Sequence, residues 1–326
     1  MICYSLPPDG PRAEALDRRM RATLADSLAY ISGEIAGLVP FDAAALTTLI
    51  QGLRDGRRYP PSTFALYADL VPTLESGDLQ EAETLLAALA VESPMSTLEV
   101  YALDDPALAA RAARYCRYMD SDPTASFSML APDPAVAAAF RERFKRSYQL
   151  LNQAAPELAG EFDALVSQVI MVAADTSADY QFDGGSSYML WGALFLNAES
   201  HDNDIAMVEV LAHESAHMLL FGYACDEALV NNDDETLYES PLRVDARPMD
   251  GIYHATYVSA RMHWAMARLL ASGLLDEQGR AIAEQALVAD RENFEAGYGV
   301  VAAHGDLTAT GRAVMAAARA YMDSLN

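Results

Sequence analysis

Two histidines four residues apart, with a glutamate beside the first, stand at His213, Glu214 and His217 in the stretch NDIAMVEVLAHESAHMLLFG. On a helix, residues four apart lie one above the other on a single face, so both rings can offer a nitrogen to one point. That spacing suits a divalent metal. With only six histidines in 326 residues, chance would produce the pattern in about one chain in a hundred. The competing account is a pair of histidines satisfied within a core.

Two imidazoles under-coordinate a metal, so a third donor decides the chemistry. The peptidase pattern H-E-x-x-H-x-x-G-x-x-H fails here, because Leu220 holds the glycine position and Tyr223 the last histidine. A zinc metallopeptidase would instead take Glu235 or Glu239 as third ligand and use Glu214 as the general base on a Zn2+-bound water.

The surroundings of His254 add a second motif. H-E-S-A-H followed by S-P-L-R-x-D-x-R-P-x-x-G-x-x-H-x-x-Y-V, from Ser240 to Val258, resembles the HExxH-motif proteins associated with ribosomal peptide natural-product clusters. These are understood as iron and 2-oxoglutarate dependent peptide β-hydroxylases. The resemblance covers the chain from Gln168 to His263 and leaves the first 150 residues outside it. It implies that His213, His217 and His254 ligate Fe(II), with Glu239, Asp245 or Asp250 as a carboxylate alternative to His254, that 2-oxoglutarate and O2 are cosubstrates, and that the substrate is a precursor peptide hydroxylated at a side-chain carbon, Cβ by analogy. The distal carboxylate of 2-oxoglutarate needs a guanidinium fork, for which Arg243 and Arg247 are the candidates. In such an oxygenase Glu214 orients a ligand or bound water rather than acting as an obligatory base.

The elements that must position these residues read as an α+β, predominantly helical chain. The metal helix starts at Asp202 or Asn203, stops near Gly222 and buries Ile205, Val208, Ala212, Ala216 and Leu219. Before it, Gln168–Ala174, Asp179–Phe182 and Ser187–Leu196, with an Asp183-Gly-Gly turn, read as a small antiparallel sheet packed beside that helix. The segment from Tyr188 to Leu196 is expected to offer an edge to an extended peptide, with Gly192 marking a bulge or a close backbone approach. Residues 1–155 read as a helical N-terminal region able to bind a peptide or partner, and 156–326 as the metal-binding catalytic region. Helices are expected from Ala13, Asp42, Ser62, Asp78, Pro134 and Pro156, short strands at Thr97–Leu103 and Ser126–Leu130, and further helices over Ile252–Ser272, Glu277–Gly297 and Thr310–Leu325.

A formal charge of −25 repels phosphate backbones and argues against a nucleic-acid partner. Arg141, Arg143, Lys145 and Arg146 form one basic cluster, which reads as a solvated helix face or a seat for an acidic partner. Pro7 and Pro8 interrupt any signal-like start, and no uninterrupted apolar run approaches a membrane span. Three widely spaced cysteines, Cys3, Cys116 and Cys225, fit a reducing compartment. The expectation is a cytoplasmic protein with no membrane partner.

Overall fold

The computed structural model describes residues 3–120, 128–175, 177, 182–240 and 246–325. In chain order its elements are α1 (Gly10–Glu34), α2 (Ala43–Arg54), α3 (Ser62–Ser76), α4 (Leu79–Ala90), β1 (Glu99–Ala102), α5 (Ala112–Met119), β2 (Met129–Leu130), α6 (Pro134–Ala154), α7 (Pro156–Leu165), β3 (Gln168–Ala174), β4 (Gly184–Ser186), β5 (Ala193–Asn197), α8 (Asp204–Tyr223), β6 (Leu237–Tyr238), β7 (Arg247–Pro248), α9 (Met249–Ala271), α10 (Glu277–His304) and α11 (Ala309–Asp323). The fold is α+β and predominantly helical. Single-turn 3-10 helices at Pro106–Leu108 and Tyr188–Leu190 complete the described elements. The chain forms two compact units, each drawn from both sides of residue 155: one comprises Met1–Glu14, Ala139–Ala164 and His201–Asn326, the other Ala15–Ala138 and Leu165–Ser200.

The second unit holds a mixed five-stranded sheet rather than the antiparallel one expected from sequence. β3 runs parallel to β1 and to β5, while β4 pairs antiparallel with β5 and β2 antiparallel with the end of β3. The reason is visible in composition. The first five residues of β3, Gln168–Val172, are buried, as is all of β5, Ala193–Asn197, and strands covered on both faces read as continuous apolar runs that carry no directional signal. Ile170, Val172, Ala193 and Phe195 form a core with Leu108, Tyr115 and Met119. The Gln168 amide ties that core together, accepting from the Tyr115 hydroxyl at 2.8 Å and donating to Glu99 at 2.9 Å.

Three other expectations for this region change. Gly184 and Gly185 lie in a strand, not in a turn, and a side chain at Gly185 would meet the Met119 methyl at 2.7 Å. Tyr188–Leu190 is a 3-10 turn. β5 is paired on both edges, by β3 and by β4, so it offers no edge to a peptide, and Trp191 and Phe195 are buried core residues. Gly192 does mark a close approach: its φ is +94°, a side chain there would meet Ser167 Oγ at 2.7 Å, and its carbonyl accepts from the Ser167 and Gln168 amides at 2.8 and 3.0 Å. Residues 179–181 and 126–127 of the expected strands lie outside the described residues. The two-turn helix α5 was not legible, because a short AARYCRYM segment carries too few periods to register.

The first unit is built on α8 and α9, which pack on each other, with α9 also packed against α10 and α11. Asn203 caps α8 by accepting from the Ile205 and Ala206 amides, both at 3.0 Å. The helix runs one residue past Gly222, ending at Tyr223. All five residues of its expected stripe are buried, and so are most of the others, because neighbours cover the helix on nearly every side. By length and composition α8 is the one described helix apolar enough to cross a membrane, but 72% of that window is buried inside the fold. On α6, Arg146 pairs with Asp204 at 3.2 Å, so part of the basic cluster faces the chain's own acids at the start of α8.

Candidate metal centre

Helical spacing on α8 places the His213 and His217 rings together, with their Nε2 atoms 3.1 Å apart. Two nitrogens bound to one ion at about 2.1 Å stand about 3.0 Å apart across a right-angle edge and about 3.4 Å across a tetrahedral one. The observed separation fits a shared cation, closer to the right-angle case. Tautomers follow from the other ring atoms. His213 Nδ1 lies 3.0 Å from the Met262 thioether on α9. Sulfur there can only accept, so Nδ1 carries the hydrogen and Nε2 keeps its lone pair. Burial, reinforced by His213 and His254, pushes His217 well below the ordinary histidine value, so it too is neutral.

His254 is the third imidazole of the cluster. It is buried on α9, stacked against His217 with ring planes 18° apart, and its Nδ1 lies 3.0 Å from His217 Nδ1. With His217 Nδ1–H donating, His217 Nε2 is free to face His213, and both Nε2 lone pairs converge. In that arrangement His254 touches His217 through the ring nitrogen turned away from the Nε2 pair, and its own Nε2 stands 3.9 Å from Asp250. It therefore orients His217, as partners behind a metal ligand do. Among the described residues, no group of three or more His, Cys, Asp or Glu side chains converges on a metal-sized site. Two donors fit a divalent metal. The third is in contact but not aligned.

Glu214 is buried, with Oε1 3.9 Å from His213 Nε2. Glu235 and Glu239 are exposed, and the amide of Glu235 is tied to Asp233 Oδ1 at 2.7 Å. Arg247 is half-buried in β7, where its residue pairs with Tyr238, and its side chain lies along the first turn of α9, 3.9 Å from where a Cβ on Gly251 would sit. Arg243 and Asp245 lie outside the described residues. Phe221 packs on His254 with ring centroids 5.4 Å apart. Sequence reading missed Met262 and Phe221, since neither residue type announces a role beside a metal.

One turn before His213 on α8 stands Glu209. Facing this part of the unit from α10 is Asp290, which is 1% exposed and has Oδ2 without a hydrogen-bond partner among the described residues. Burial, with repulsion from Glu209, pushes the Asp290 carboxyl up to about 8. The folded chain thus holds a proton that the unfolded chain, with a value of 3.8, releases. The stabilisation is complete below the unfolded value and drains as pH rises through the folded one. The lowered histidines, His217, His254 and His263, act in the opposite sense and only below their ordinary value of 6.5. Between pH 6.5 and 8, therefore, stability is expected to fall by up to about 1.4 kcal/mol per pH unit. Denaturant titrations should show this slope in the wild type and its loss in Asp290→Asn.

Compared with models of known protein families and with curated proteins, the chain matches none.

Proposed function

We propose that this chain is a non-haem Fe(II) and 2-oxoglutarate dependent oxygenase that hydroxylates a side-chain carbon, Cβ by the resemblance above, of a ribosomally made precursor peptide. The observation that carries the reading is the 3.1 Å pair of Nε2 atoms with a third imidazole already against it. His213 and His217 hold the metal, His254 orients His217 from behind, and Arg247 or Arg243 grips the distal carboxylate of 2-oxoglutarate. When bound, the iron couples oxidation of 2-oxoglutarate to succinate and CO2 with transfer of one oxygen atom from O2 to the peptide. Met262 and His254 fix the ligand tautomers, and Phe221 shields His254 from water. Three free cysteines are compatible with work in the reducing cytoplasm.

The test is the product. Protein loaded with Fe(II) and supplied with 2-oxoglutarate in air, together with its cognate precursor peptide, is expected to yield an intact chain heavier by one oxygen, with one succinate per hydroxyl. Fragments formed by zinc-loaded protein without 2-oxoglutarate, and lost in Glu214→Gln, would establish a metallopeptidase with Glu214 as base and Glu235 or Glu239 as third ligand.

A further inference from the structure

Below the imidazole cluster, α9 continues the same stripe. Asp250, His254, Tyr257 and Arg261 recur at helical spacing, and the last two enter a buried polar network. Glu161 on α7 is fully buried and accepts from Arg12 Nη2 at 2.8 Å, from the Asp9 amide at 3.1 Å and from Arg261 Nη2. The guanidinium of Arg12 also holds Ser5 and Pro7 by their carbonyls at 2.6 and 3.0 Å, and Arg261 holds the Leu6 carbonyl at 2.5 Å. Two buried arginines against one glutamate leave a net positive charge. An uncompensated buried charge is costly.

Donors exceed acceptors in the same place. The hydroxyls of Tyr223 and Tyr257, and Nε of both Arg12 and Arg261, are buried without a hydrogen-bond partner among the described residues. Glu161 already takes three donors, and the phenols, Arg12, Arg261 and Glu161 all lie within electrostatic reach of one another. Burial raises both phenols, so they remain protonated donors. Water could accept one such hydrogen bond but would leave the charge. A negative acceptor answers both deficits.

We propose that the cluster of Arg12, Arg261, Tyr223 and Tyr257 is a binding site for a small monoanion, of halide or simple carboxylate type, closed over by the segment Ser5–Asp9. Such an anion joins the start of the chain to α7, α8 and α9, one helical turn from His254. It does not depend on metal or on the proposed oxygenase activity, so either can fail without the other.

The experiment uses the full chain in EDTA at constant ionic strength, replacing sodium gluconate by sodium chloride or sodium acetate. The melting temperature is expected to rise saturably, by about 2 °C at a tenfold excess over the half-saturating concentration. Whichever salt acts identifies the source, halide or carboxylate. Tyr257→Phe and Tyr223→Phe each remove one hydroxyl and should abolish the saturable rise. Chloride and acetate curves that both match gluconate, or rises unchanged in both variants, overturn the site. Should the variants fail to fold, crystals of the wild type grown in the anion that raised the melting temperature, with bromide standing in for chloride, decide it: that anion within hydrogen-bond distance of the Tyr257 or Tyr223 hydroxyl upholds the proposal, and its absence there overturns it.

Discussion

Replacing either His213 or His217 by alanine is expected to reduce bound iron to background and to lower peptide hydroxylation by more than about 1000-fold, about 4 kcal/mol of transition-state stabilisation. The size follows from the geometry. The two Nε2 atoms stand 3.1 Å apart and face one point, so removing one leaves a single protein donor, too few to hold an exchangeable cation against water. A smaller loss is expected for Met262→Leu. That change keeps the packing but removes the acceptor for His213 Nδ1–H, so the ring can settle in the wrong tautomer and affinity should fall by about 10-fold to 100-fold. His254→Ala discriminates between roles. As an orienting partner of His217 it should cost a similar amount, whereas as a ligand it should approach the motif histidines. Iron content by elemental analysis and product by mass spectrometry check all three, and unchanged iron in His213→Ala would defeat the metal assignment.

The sequence made the geometry of α8 legible because periodicity, cap and motif agree: Asn203 closes one end, the expected stripe is buried, and the helical spacing brings both Nε2 atoms together. The expectation of His254 beside them came from the resemblance carried by the Ser240–Val258 motif, and its ring does lie against His217. Strand direction was not legible. Buried strands such as Val169–Val172 and Ala193–Leu196 carry no alternation, and the tight Gly184–Ser186 strand looks like a turn because glycine serves both. Nor could the sequence tell that β5 is closed on both edges, which is decided by pairing between segments far apart in the chain. Long-range charge pairing was equally silent. Glu161 and Arg12 are 149 residues apart and Arg261 is 100 residues further on, and each alone looks like an ordinary surface residue on a helix.

Glu161→Ala is the substitution expected to damage stability most. Its carboxylate is the shared counter-charge of two guanidinium groups and caps the Asp9 amide, in surroundings where Glu161 and the Arg261 side chain are both 0% exposed. Removing it leaves two buried positive charges facing each other with no counter-charge, a loss of about 3–5 kcal/mol. For a chain with marginal stability, that is enough to melt it well below the wild-type temperature. The network's worth must be separated from the cost of breaking it. Exchanging all three charges at once, with Arg12→Met, Glu161→Leu and Arg261→Met, removes the desolvation penalty along with the attraction, and should recover most of the loss. Denaturant unfolding of the single and triple variants provides the comparison. If Glu161→Ala unfolds like the wild type, then the three side chains are not a buried ion network in solution, and the anchoring of Ser5–Asp9 to α7 and α9 must rest on apolar contacts such as those of Leu6, which is 1% exposed.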